Sequence, residues 1–166
     1  GLGHIAVQYA KAMGLKVAAI DIDPAKLALA KRLGADLTVN ARKEDAVAAV
    51  QEKCEGAHGA IVTAVATQAF EQAIGMLRPA GTVAYIGLPG GKADQIRASI
   101  SAIVNWELSV RGSNVGTRLD LQDAVGFALR GAVKARIETA PLSQANAVLD
   151  RMRRGKIVGR VVLEIG

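Results

Sequence analysis

The chain alternates between two hydrophobic periods. Short, nearly continuous apolar runs recur at "KVAAID" (Lys16 to Asp21), "LTVN" (Leu37 to Asn40), "GAIVTAV" (Gly59 to Val65), "GTVAYIGL" (Gly81 to Leu88) and "ELSVRGSNV" (Glu107 to Val115). Runs of this length and texture predict strands buried on both faces. Between them the spacing turns helical. Ile5, Ala6, Tyr9, Ala10 and Met13 share one helical face, and Leu27, Ala30 and Leu33 share another, with Lys31 and Arg32 turned outward. Further helices are expected over Glu44 to Cys54, Gln68 to Leu77 and Ser101 to Trp106. Gly14 and Gly34 are placed to end the first two helices, while Asp23 and Pro24 are placed to cap and start the second. Alternation of this kind predicts an α/β fold with a parallel, doubly wound sheet and right-handed crossovers.

After about Thr117 the texture changes. A helix over Leu119 to Leu129, an extended "ARIETAPL", a helix over Ser143 to Arg154 and a closing "GRVVLEI" make a less regular α+β appendix. The expected boundary separates residues 1–117 from residues 118–166.

The opening "GLGHIAVQYAKAMG" places Gly1, Gly3 and Ala6 in the G-x-G-x-x-G/A pattern of a dinucleotide-binding turn. The first glycine permits the tight turn, and the second lets the backbone approach a pyrophosphate. The small third residue lets helix and sheet pack closely. Asp21 ends the next strand, 18 positions after Gly3, close to the spacing of about 20 at which a carboxylate meets the adenosine ribose hydroxyls. An acid there would repel a 2′-phosphate by a few kcal/mol in order of magnitude, so the expected cofactor is NAD rather than NADP. A strand normally precedes such a turn, so a chain opening on Gly1 is expected to be part of a nucleotide-binding protein. The strand ends "YIGLPGG" (Tyr85 to Gly91) and "RGSNVG" (Arg111 to Gly116) either line a nicotinamide pocket or are routine turns; spacing alone allows both.

Composition narrows the alternatives. Aromatic residues are only 3% of the 166, so the core must be aliphatic. Of the 21 Lys/Arg and 15 Asp/Glu, 13 and 7 respectively lie after residue 75, so the net charge of +6 is C-terminal. Those bases are scattered and carry no interleaved aromatics, which argues against nucleic acid as a partner. No apolar run reaches the roughly 18 residues a membrane span needs, and a cytoplasmic chain is expected. The single cysteine, Cys54, cannot form an internal disulfide and is expected to pack in a helix. His4 lies in the glycine turn, where its backbone N–H matters more than its ring. His58 is expected in a solvated loop. Neither histidine has a nucleophile constellation around it, and no metal-ligand spacing is present.

Beyond these readings the chain resembles, over its whole length, the cofactor-binding half of the zinc-dependent alcohol dehydrogenases of the medium-chain dehydrogenase family, bacterial and yeast-like type. The resemblance rests on "GLGHIAVQYAKAMGLKVAAIDID", "KRLGAD", "AIGMLRPAGT", "GLPGG", "RGSNVGTRLDLQ" and "GRVVLEI". It implies a Rossmann-type sheet lacking its first strand, with residues 118–166 returning to the parent's catalytic domain. It implies that Gly1, Leu2, Gly3 and His4 face the pyrophosphate and that Ile5 presses on the nicotinamide. Asp21 and Lys26 would hold the adenosine ribose, and Ala64 and Val65 would line the cleft. Ile86, Gly87 and Leu88, with Ser113, Asn114 and Val115, would meet the nicotinamide and its carboxamide, and Arg160 would reach the pyrophosphate. The implied parent uses NAD, carries zinc in an N-terminal domain outside this sequence, and transfers a hydride to or from a small alcohol, aldehyde or ketone as a tetramer or dimer. No catalytic or metal-binding residue is expected within these 166. A zinc-free quinone reductase of the same superfamily and a stand-alone nucleotide-sensing module are the alternatives.

Overall fold

The computed structural model describes residues 1–90 and 94–165. The order is α1 (Gly3–Ala12), β1 (Ala18–Asp21), α2 (Pro24–Arg32), β2 (Leu37–Asn40), α3 (Ala46–Cys54), β3 (Ala57–Val62) and α4 (Thr67–Gly75). There follow β4 (Leu77–Tyr85), α5 (Ile100–Asn105), β5 (Ser109–Gly112), α6 (Arg118–Leu129), β6 (Ile137–Pro141), α7 (Ala145–Arg153) and β7 (Arg160–Glu164). Every strand and helix expected from the periodicity is found, with ends shifted by a few residues. The largest shift is in β4, which opens at Leu77 rather than Gly81 because Leu77 already pairs with Ala57, with a bulge before the next pair, Gly59 with Thr82.

The chain divides into two compact units, Gly1–Thr38 with Gln122 onward, and Val39–Leu121. In the second unit β3, β4 and β5 form a parallel sheet in that order. Its core joins Val62, Phe70, Ala73, Ile74, Leu77 and Val83, with Leu77 and Val83 completely buried. Phe70 meets Tyr85 edge-on at 4.9 Å, and the Tyr85 hydroxyl donates to the Phe70 carbonyl at 2.9 Å. Thus even the ring's polar end is satisfied inside an aliphatic core. The Asp45 carboxylate caps α3 by accepting from the Val47 and Ala48 amides. Cys54, expected to pack, is exposed at the last position of α3.

In the first unit Val7, Ala30 and Ala35 pack with Val17, Ala19 and Leu33 between α1, α2 and β1. Asp23 caps α2 through the Ala25 amide, as its position predicts. β6 and β7 run parallel, from Ile137 beside Arg160 to Pro141 beside Glu164. One expectation fails here. The buried face of α1 is His4, Val7 and Gln8, whereas Met13 is exposed. Burial of a polar stripe follows from its hydrogen bonds, described below.

β1 pairs with β2, and β3–β4–β5 form a separate set. Truncating Leu77 to alanine is expected to cost about 2–5 kcal/mol of unfolding free energy. Urea denaturation of L77A checks this; a loss below about 1 kcal/mol would mean that the site collapses around the smaller side chain.

Candidate functional site

The glycine turn leads directly into α1. The N-cap residue Leu2 offers no side-chain hydrogen bond, and no acid lies in the first turn. By contrast α2 and α3 are capped by Asp23 and Asp45. The Leu2 carbonyl accepts the Ile5 and Ala6 amides, both at 3.0 Å, and the Gly3 and His4 amides stand ahead of that first bonded turn, as the opening amides of a helix do. Free amides at the positive end of a helix are suited to an anion. Ile5, in the same turn, is half-buried, and Leu2 is exposed.

Basic side chains gather at this turn. Arg160, at the start of β7, places its guanidinium where a Cβ on Gly1 would come within 3.3 Å of Nη1. Arg160 and Lys26, and Asp21 with the opposite charge, are the charged side chains close enough to Gly1 to act on it electrostatically. Four sequence-predicted residues, Gly1, Asp21, Lys26 and Arg160, are therefore neighbours. One Asp21 oxygen, Oδ1, accepts the Ile22 and Asp23 amides at 2.8 and 2.9 Å. That fixes the carboxylate at the end of β1.

The buried side of α1 explains how Arg160 comes to be there. The His4 ring bonds through Nδ1 to the Gly1 carbonyl and through Nε2 to the Arg136 amide, the latter at 3.1 Å. A carbonyl only accepts and an amide only donates, so the ring is the neutral tautomer with its proton on Nδ1. One turn on, Gln8 accepts the Lys134 amide at 2.9 Å and donates to the Lys134 carbonyl at 3.0 Å. The Tyr9 hydroxyl donates to Ala124, and its ring meets Phe127 edge-on. The segment before β6 is thereby tied to α1, and the Arg136 carbonyl accepts the Arg160 amide at 2.9 Å. Gly159, at φ +98°, lets the chain pass so close to the Arg136 carbonyl that a Cβ would clash. Sequence reasoning treated the His4 ring as idle and missed Gln8. The signal was available as two polar residues four apart, flanking Val7 on one helical face.

In the second unit the expected residues collect at the carboxyl ends of β3, β4 and β5. The Ile86 and Gly87 amides both donate to Val62, at 3.0 and 2.9 Å, and the Ser113 amide donates to Tyr85 at 2.9 Å. A Cβ on Gly87 would lie inside the Ala64 carbonyl, so these two backbones touch. Val65, Leu88 and Val115 are largely exposed, and Ser113 and Asn114 are exposed beside them. Val115 adopts φ +57°, a left-handed conformation costly for a β-branched side chain. Gly91, the last residue of "YIGLPGG", lies outside the described residues.

Other candidate chemistry is limited. His58 stands on β3 rather than in a loop, exposed, 2.8 Å from the Arg78 guanidinium. A cavity of about 250 Å³ in the second unit is lined by Ile74, Ala102, Trp106 and Leu108, with Glu71 and Arg97 among its polar residues; it contains none of the sequence-predicted positions. Among the described residues no three His, Cys, Asp or Glu side chains group as metal ligands, and no helix is long and apolar enough to cross a membrane.

Comparison with known proteins gives the class. Residues 1–130 match the family model described as zinc-binding dehydrogenase, and the chain belongs to that family. It is 54% identical over 165 residues to an alcohol dehydrogenase of Rhizobium meliloti (strain 1021) and 52% identical over 164 residues to one of Moraxella sp. (strain TAE123). Each match covers 99% of this chain and 48% of the relative, so the chain spans about half the length of these curated relatives. The crystal structure of the alcohol dehydrogenase from the hyperthermophilic archaeon Aeropyrum pernix matches with a TM-score of 0.90 at 34% identity, over 99% of this chain and 47% of that one. The fold is the Rossmann-type α/β fold of these dehydrogenases.

Two outcomes follow from the geometry. Gly87→Ala drives a methyl into the Ala64 carbonyl and is expected to cost at least about 1–3 kcal/mol through forced separation of the strand ends, read by urea denaturation; an unchanged midpoint would mean that the two backbones separate freely. Burial disfavours the charged imidazole and holds His4 below its ordinary range; the Gly1 carbonyl opposes this, and the charges of Arg160 and Arg136 reinforce it. Its contribution to stability is thus full above the unfolded value of about 6.5, declines as pH falls and the unfolded chain takes up the proton first, and levels off below the folded value. Unfolding free energies of wild type and His4→Gln, compared across this range, should converge toward low pH; parallel curves would contradict it.

Proposed function

We propose that this chain is the cofactor-binding part of an NAD-dependent alcohol dehydrogenase, transferring a hydride between NAD and a primary or secondary alcohol, or its aldehyde or ketone. The observation that carries the reading is the Arg160 guanidinium standing at Gly1 beside the uncapped start of α1. Free helix amides and a planar, five-donor cation together suit a pyrophosphate. Leu2, Gly3 and His4 would offer backbone to it, and Ile5 would press on the nicotinamide. Asp21 would accept from the ribose hydroxyls through Oδ2, with Lys26 on the same ribose. In the second unit Ala64, Val65, Ile86, Gly87, Leu88, Ser113, Asn114 and Val115 would face the nicotinamide and its carboxamide. NAD, when bound, supplies the hydride acceptor; the chain's residues bind it, orient it and exclude the 2′-phosphorylated form.

The family's description supports zinc in the whole protein. Among the described residues no His, Cys, Asp or Glu side chains group as ligands for it. Residues 118–166 would run back to the catalytic domain, the exposed β5 strand would join subunits into a dimer or tetramer, and the protein would be cytoplasmic. Relatives at about half identity named alcohol dehydrogenase weigh against a stand-alone nucleotide sensor.

Fluorescence titration of the full-length protein with NADH and NADPH tests the reading. NADH is expected to bind at least about tenfold more tightly, since a buried like-charge contact costs 1.4 kcal/mol or more, and Asp21→Ser is expected to narrow the gap. Equal affinities in the wild type, or failure of any alcohol to reduce NAD, would overturn it.

A further inference from the structure

This inference rests on the reading of the glycine turn as the pyrophosphate site. We propose that His4 is a positioning residue for that site: its neutral ring ties the Gly1 carbonyl to the Arg136 backbone and, through that backbone, holds the Arg160 guanidinium at the turn. The contacts form a closed circuit. His4 bonds Gly1 on one side and Arg136 on the other. The Arg136 carbonyl takes the Arg160 amide, and the Arg160 side chain returns to Gly1. Every link but the last is a directional hydrogen bond.

An arginine side chain loses much rotamer freedom when it is held, so where its backbone starts decides whether it reaches an anion at little cost. The Arg160 backbone starts from Arg136, and Arg136 is registered by His4, with Gln8 holding Lys134 two residues earlier. His4 need not touch the cofactor through its ring to govern it. A doubly protonated ring would lose the acceptor for the Arg136 amide and add a cation facing Arg160 and Arg136, the charged side chains that act on it. Cofactor affinity therefore depends on the neutral ring.

Two substitutions separate the ring's nitrogens. An asparagine amide reaches where Nδ1 lies and keeps the Gly1 bond alone; a glutamine amide reaches where Nε2 lies and keeps the Arg136 bond. The experiment measures the Kd of ADP-ribose and of adenosine, which lacks the pyrophosphate, for the full-length protein and for H4N, H4Q, R160A and H4N/R160A at pH 8. Loss of a charge-assisted hydrogen bond corresponds to roughly tenfold to 100-fold in Kd. R160A is expected to weaken ADP-ribose within that range, and H4N by about tenfold, both leaving adenosine unchanged. H4Q should restore binding, and the double variant should match R160A alone. Wild-type affinity for ADP-ribose should fall as pH drops through and below the ordinary imidazole range, and that fall should be absent in H4Q.

If R160A weakens ADP-ribose while H4N does not, or if the two losses multiply in the double variant, the positioning role is refuted and the pyrophosphate site stands. If R160A leaves ADP-ribose binding unchanged, the pyrophosphate site itself is refuted. Should H4N fail to fold, the pH profiles of wild type and H4Q decide alone: equal profiles refute the role.

Discussion

A buried polar group must find a partner or leave the interior, and this requirement organises the first unit. His4 and Gln8 are its buried polar side chains among the described residues, and both are satisfied by the backbone of residues 134–136 and of the glycine turn. No buried side-chain nitrogen or oxygen of the described residues lacks a partner. An apolar seam tolerates sliding, since its attraction is non-directional. A seam of N–H and C=O bonds admits one register, because any slip would strand donors away from water at a cost of roughly 1–3 kcal/mol each. The C-terminal segment is therefore placed on α1 by hydrogen bonding, and the arginine at the start of β7 inherits that placement.

Much of this was legible in the residues. Strand texture and helical spacing located the alternating elements, because burial of a parallel sheet on both faces leaves an apolar run that few other structures need. Asp23 and Pro24 announced the start of α2, and the cap forms as expected. The glycine turn and Asp21 were legible because their chemistry is local, whereas Lys26 entered through resemblance. Arg160 entered only through resemblance: it lies 159 positions from Gly1, and no spacing rule reaches so far. The buried face of α1 was misjudged because apolar residues were taken to mark the interior, whereas the backbone of residues 134–136 supplies bonds that make His4 and Gln8 at home there. Cys54 failed for a different reason. It is the final residue of α3, where a helix leaves the layer it packs on.

The second unit shows a different constraint, one of space. Hydrogen bonds from Ile86 and Gly87 to Val62 bring the end of β4 against the segment leaving β3, and only a residue without a side chain fits opposite the Ala64 carbonyl. Glycine in "YIGLPGG" is thus a packing requirement as well as a turn former. It sets the backbone of a strand end, where open α/β sheets bind their ligands. The left-handed Val115, beyond the end of the neighbouring β5, is held in a conformation its side chain disfavours. Strain of this kind persists where the surroundings over-determine it, and it gathers at ligand sites.

The most direct measurement is a crystal structure of the full-length protein grown with NADH. The account predicts the pyrophosphate oxygens within hydrogen-bond reach of the Gly3 and His4 amides and of the Arg160 guanidinium, with the adenosine ribose on Asp21 and the His4 ring still bonded to Gly1 and Arg136. A pyrophosphate bound elsewhere, or an Arg160 side chain turned away from it, would contradict the account.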